Sequence, residues 1–202
     1  MKVESPACIV EAGRVFHGRE GGYDRAMDRR HLLLTGAALG ATLAAGAAGR
    51  AAWAAVPTVQ PTTAAALAAL RARPMADLQG GTRRLAEWQG RPMLLNFWAS
   101  WCTPCAREMP QLDALQKQFP QIQFIGIGID TVAKIRKFLL KVPVSYPLLS
   151  LGTSGIDTLR DLGDTAAGLP FTLILATDGS VKRSILGKIQ PDDVRNTLAS
   201  LI

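Results

Sequence analysis

Met93-Leu94-Leu95-Asn96-Phe97-Trp98-Ala99-Ser100-Trp101-Cys102-Thr103-Pro104-Cys105 is an apolar run that ends in a Cys-x-x-Cys pair. Met93 to Trp98 reads as a strand buried on both faces, since a short continuous apolar stretch bounded by turn residues has that signature. A helix reads from about Thr103, with Met109, Leu112, Leu115 and Phe119 on one face at spacings of three and four; Pro110 is expected to kink it. Two cysteines separated by two residues at a helix start can reach one another, and the first meets the unpaired N–H groups and positive end of that helix. Its thiolate is thereby favoured, and a thiolate attacks a partner's disulfide. In this reading Cys102 attacks, Cys105 resolves the mixed disulfide, and the pair closes into its own disulfide.

Blander readings of the pair are half of a zinc site, a structural disulfide, or two buried thiols. Zinc takes about four ligands, and the sequence adds only Cys8, His17 and His31, all in an N-terminal stretch expected to be absent from the mature protein. What remains has two cysteines and no histidine. That excludes zinc, Cys-His nucleophilic catalysis and His-containing copper sites, and no metal or other cofactor is expected. A disulfide across so short a loop constrains the unfolded chain little. A pair that follows a strand and opens a helix favours redox chemistry.

The 202 residues, 48% hydrophobic and 19% charged, describe one globular domain with extra length, which lies at the N-terminus. No charge occurs from His31 to Gly49, Arg29 and Arg30 precede that run, and Ala52-Trp53-Ala54 has the form of a cleavage site. Paired arginines ahead of Leu32 and Leu33 resemble a twin-arginine export signal. The competing reading is an uncleaved membrane anchor, although four glycines and many alanines make the run a weak spanner. The expected division is 1–26, an upstream extension with translation starting at Met27; 27–54, export signal or anchor; 55–76, an Ala-, Thr- and Pro-rich linker with a short helix near Ala64 to Arg71; and 77–202, the working domain. The protein is expected outside the cytoplasm, in the periplasm.

Residues 55–202 carry sixteen Lys plus Arg against eleven Asp plus Glu, a net +5. Arg71, Arg83, Arg91, Lys117, Lys134, Lys141, Lys182 and Lys188 read as scattered rather than gathered on one face. No base-stacking aromatic pattern accompanies them, so a nucleic-acid partner is not expected. A solvated surface is the default, with docking onto anionic membranes or acidic proteins as the alternative use.

Gln79-Gly80-Gly81-Thr82 has hairpin-turn composition. Ile122 to Ile129 reads as a second strand, and Asp130-Thr131 as a cap for a helix over Val132 to Lys141. A short strand within Val144 to Leu151 and a helix over Ile156 to Leu162 follow. Phe171 to Ala176 and Val181 to Leu186 flank a strong turn signal at Thr177-Asp178-Gly179-Ser180. Pro191 opens the last helix.

Taken together, Leu95 to Cys105, then Glu108-Met109-Pro110, then Gly168-Leu169-Pro170 ahead of the Phe171 strand resemble the thioredoxin superfamily, and more narrowly its exported TlpA/ResA-like thiol-disulfide oxidoreductases. The resemblance implies an α/β thioredoxin-like fold: a central mixed sheet flanked by helices, with a strand-helix insertion and an N-terminal hairpin. It implies that Pro170 is cis and that the Leu169 backbone is open to an extended substrate. It makes Glu108, one turn beyond Cys105, the carboxylate that takes a proton when the mixed disulfide is resolved. Without the family, a solvated helix charge is the better reading of Glu108. Asn96 stands where ordinary thioredoxins have a buried aspartate. Trp101, Thr103 and Pro104 are expected at the partner contact, and Trp98 in the core.

Thr103-Pro104 supplies no cation for the Cys102 thiolate, which favours a reductant. The implied task is reduction of disulfides in exported proteins, such as apocytochrome c or a copper-site protein, with electrons from a membrane thiol carrier. The alternatives are a disulfide-introducing oxidase or isomerase, and a non-catalytic binding module that keeps the fold. A peroxidase would need a peroxidatic cysteine in its own loop, and the sequence has none.

Overall fold

The computed structural model describes residues 60–202; the expected extension, export signal and cleavage site lie outside the described residues. The central strand β3 (Met93–Trp98) is buried along its whole length. It pairs in parallel with β4 (Gln123–Gly128) on one side and antiparallel with β6 (Phe171–Leu175) on the other. Outside these lie β5 (Leu148–Ser150), β1 (Met75–Asp77) and β2 (Thr82–Arg83) at one edge and β7 (Val181–Leu186) at the other, in the order β2-β1-β5-β4-β3-β6-β7. This is the mixed sheet of the thioredoxin-like fold.

Alternation along β3 sorts its side chains into two cores. Leu94 and Trp98 face α2 (Thr103–Gln118) and α5 (Pro191–Ala199), joining Met109, Leu112, Phe124, Val194 and Leu198. Met93, Leu95 and Phe97 face α1 (Ala64–Ala72) and α4 (Ile156–Asp161), with Leu67, Leu70, Leu159 and Leu162. Both faces are covered, so β3 reads as a continuous apolar run rather than an alternating one. Helix α2 continues through Pro110 to Gln118. The helix α3 (Val132–Leu139) is capped by Thr131, whose hydroxyl accepts from Lys134 N–H.

The described part of the expected linker is not a tether. Thr63 caps α1, and Leu67 and Leu70 are buried against β3's second face. Polar bonds fasten the same segment: Gln60 N–H to Gly163 O at 2.7 Å, Thr62 Oγ1 to Leu162 O at 2.6 Å, and Arg71 to Gly179 O at 2.8 Å. Gly163 has φ +97°, and a Cβ there would collide with the Gln60 carbonyl, so only glycine fits the crossing. Alanines dilute the apolar contrast of α1, so the sequence shows the short helix but not that it packs into the core. Leu70→Ala is therefore expected to lower the unfolding free energy by about 2–4 kcal/mol, read from urea unfolding; a change within a few tenths of a kcal/mol would mean that α1 is not part of the cooperative unit.

Candidate active site

The cysteine loop leaves the end of β3, and Cys102 N–H donates to Ala99 O at 3.1 Å. Cys102 is the N-cap of α2, and its sulfur accepts from Cys105 N–H at 3.2 Å. The lead cysteine thus occupies the anion-favouring end of the helix. Pro104 sits in the first turn, where its missing N–H costs nothing. Cys102 and Cys105 form a disulfide with Cα atoms 5.3 Å apart. Trp101 is 64% exposed beside them, Cys102 is 5% exposed and Cys105 fully buried, so an incoming molecule reaches Cys102 first.

The Leu169–Pro170 bond is cis. Phe171 pairs with Phe97, which puts Pro170 at the end of the sheet from which the cysteine loop springs. Leu169 is half-buried and touches both cores. Trp98 is entirely buried, its ring 4.9 Å from that of Phe138.

Glu108 is not a solvated helix charge. It is fully buried, one Oε accepting from Asn96 Nδ2 at 2.8 Å and the other from Ile189 N–H at 2.7 Å. Burial pushes its carboxyl above the ordinary 4.5, and the Ile189 N–H, the Asn96 amide and the Lys188 charge oppose this only in part. Asn96 Nδ2 also donates to Thr172 Oγ1 at 3.1 Å, while its Oδ1 has no partner among the described residues.

A family model described as AhpC/TSA family matches residues 63–184, more than half of the chain. The chain belongs to the AhpC/TSA family. It is 30% identical over 131 residues to the thiol-disulfide oxidoreductase ResA of Geobacillus thermodenitrificans, a match spanning 63% of this chain and 72% of that protein. Among solved structures it is similar to the thioredoxin-related protein of Neisseria meningitidis serogroup B, with 27% identity, TM-score 0.56, and coverage of 63% of this chain and 97% of that one. The fold is also that of MTB DsbF, at 24% identity and TM-score 0.58, covering 72% of this chain and 100% of that one. The protein is a thiol-disulfide oxidoreductase.

Three features of this AhpC/TSA-family site are not visible in the sequence reading. Asp130, which reads there as part of a helix cap, is buried at the end of β4, and its carboxylate accepts from Ser100 Oγ at 2.5 Å, from Thr131 N–H at 2.9 Å, and from Lys134 at 3.4 Å. Burial resists its ionisation, but these donors outweigh that and hold the carboxyl below its ordinary range. It thereby anchors the residue two before Cys102. Asp164 is also buried, in the loop that runs into Leu169–Pro170, and the N–H groups of Gly168, Ala166 and Ala167 face its carboxyl; burial pushes that carboxyl up. Ala167 in this loop has a positive φ of 49°, a conformation that costs a non-glycine residue about 1 kcal/mol or more. Finally, Lys134 and Lys141, which read as scattered, share one face with Lys137 alongside the cysteine loop. Their spacing of three and four in sequence was the available signal.

Proposed function

We propose that this oxidoreductase reduces disulfides in exported client proteins. The observation that carries the reading is the buried Glu108 carboxyl one turn beyond Cys105, held ready to take a proton by a burial that disfavours its charge. In the reduced protein the Cys102 thiolate attacks one sulfur of the client disulfide, forming a Cys102–client bond and expelling the other client sulfur as a thiolate. The Cys105 thiol then gives its proton to Glu108, and its sulfur attacks Cys102. The Cys102–Cys105 disulfide forms, the second client sulfur leaves, and the two client thiolates take up protons. Two electrons pass to the client. A membrane thiol carrier returns two electrons and two protons to the enzyme disulfide.

Trp101, Thr103 and Pro104 on one side and Leu169 with Pro170 on the other frame the client segment, which lies along the Leu169 backbone as an added strand. The chemistry fits apocytochrome c before haem attachment, or a copper-site protein during assembly. Residues 27–54 deliver the domain to the periplasm as a cleaved signal or hold it to the membrane as an anchor. The absence of a cation between the cysteines supports the reducing direction.

The reduction potential of the pair in residues 55–202, measured by equilibration with thiol-disulfide buffers, tests the direction. A value near ~ −270 mV is expected; one near ~ −120 mV marks a disulfide donor and overturns the reductase reading.

A further inference from the structure

A groove of about 430 Å³ runs beside the cysteine loop, lined by Ser100, Ala106, Lys134, Lys137, Phe138 and Lys141, with Val142 at its end. Its position ties it to the redox pair: Ser100 is two residues before Cys102, and Ala106 N–H donates to the Cys102 carbonyl at 3.2 Å. Lys134, Lys137 and Lys141 recur at three and four residues, so they stand on one face of α3 and the turn that continues it. Arg136 turns elsewhere and donates to Leu78 O. The carboxylate bonded to residues of the groove lining is Asp130, buried and already accepting from Ser100 Oγ and Thr131 N–H; it offsets part of the Lys134 charge alone. Among the described residues Lys137 and Lys141 have no ion-pair partner, and both are exposed. The apolar part of the lining comes from Ala106, Phe138 and Val142.

We infer that this groove receives an acidic, partly apolar segment of the client that flanks the cysteine pair under attack. Carboxylates meet the lysine rim while one or two apolar side chains cover Phe138 and Val142. A concave site with a partly apolar lining suits a polypeptide segment better than a lipid surface, which meets a flat or convex face. The inference rests on Cys102 being the attacking sulfur, since it is Cys102 that the groove adjoins. Like-signed lysines held together without a partner raise the local concentration of an anionic segment and its rate of encounter.

The test uses synthetic peptides with one internal disulfide, flanked by Asp, Glu and Leu in one and by Ser and Leu in the other, with a labelled version of the acidic peptide in which serine replaces both cysteines. The rate of reduction of the acidic peptide is expected to exceed that of the neutral one about tenfold at low salt. The ratio should fall toward one in ~1 M salt, where the screening length is ~3 Å, and likewise in Lys137→Glu/Lys141→Glu. Binding of the cysteine-free peptide, read by anisotropy, should weaken in parallel, and the wild-type salt series gives the same answer if that variant does not fold. Equal reduction rates with no binding of the labelled peptide, or an acidic preference that survives both the double substitution and salt, overturns the inference. So does lysine-dependent sedimentation with phosphatidylglycerol vesicles in place of peptide binding, which would assign the groove to lipid. Lysine-dependent binding of the acidic peptide without reduction of either disulfide peptide supports the groove and defeats the reductase reading instead.

Discussion

Cys105→Ser should accumulate clients as stable mixed disulfides, and Cys102→Ser should reduce nothing above background. The asymmetry follows from position. Cys102 caps α2 and retains a sliver of exposure, whereas Cys105 lies one turn inside and is fully covered. A partner sulfur therefore bonds to Cys102, and only an internal attack by Cys105 releases it. Removing Cys105 deletes that attack while leaving the helix end that favours the Cys102 thiolate intact. Non-reducing electrophoresis of the variant from cells, followed by identification of the adducts, reads the outcome and names the clients. Capture by Cys102→Ser rather than Cys105→Ser would reverse the assigned roles, and a Cys102→Ser protein with its full biological effect would mean a binding module.

Glu108→Gln is expected to slow resolution of the mixed disulfide by about 10²-fold, the lower end of what a positioned proton acceptor supplies, and to remove the carboxyl limb from the pH–rate profile. The amide fits the site. Its oxygen can accept from Ile189 N–H and its NH2 can donate to Asn96, provided the Asn96 amide turns over to present Oδ1, which lacks a partner among the described residues. The Thr172 hydroxyl serves either orientation, as acceptor from Nδ2 or donor to Oδ1. Stability moves the other way from rate. Because burial raises the Glu108 pKa, the folded protein holds that proton more tightly than the unfolded chain does. The resulting stabilisation is complete below the ordinary 4.5 and is lost as pH rises through the raised value. The substituted amide has nothing to ionise, so the variant should gain on the wild type as pH climbs through that window, seen by denaturant unfolding at several pH values. A variant that resolves mixed disulfides at the wild-type rate would remove Glu108 from the chemistry.

The parts of this molecule that were legible in the sequence are those in which a local pattern and the tertiary role coincide. β3 is apolar throughout because both its faces are covered, and the Cys102 loop declares itself because a helix start and a thiol pair fall together. Pro170 was legible only through its family motif, since nothing in a lone Leu-Pro marks a cis bond. The role of Glu108 is likewise legible only through the family motif, and its burial needs the structure, since it is set by Asn96 and Ile189, 12 and 81 residues away in sequence. The same holds for Asp130, whose hold on Ser100 spans 30 residues. The α1 helix is legible as a short helix near Ala64 to Arg71, but its docking into the core is not, because two leucines among alanines give little amphipathic contrast although both are buried. Charge on α3 was in plain view, but a count of basic residues along the chain does not show which of them share a face.

The clasp between Gln60 and Gly163 makes residue 60 a mechanical anchor point. A pull on the preceding chain, whether from a surface or from a partner holding it, is not absorbed by a slack leash ending at Met75. It is delivered through the Gln60 and Thr62 hydrogen bonds to the backbone at 162 and 163, at the root of the loop that carries Asp164 and runs into Leu169–Pro170. The load path from outside the domain thus enters the fold at the root of the loop that leads to the cis-proline.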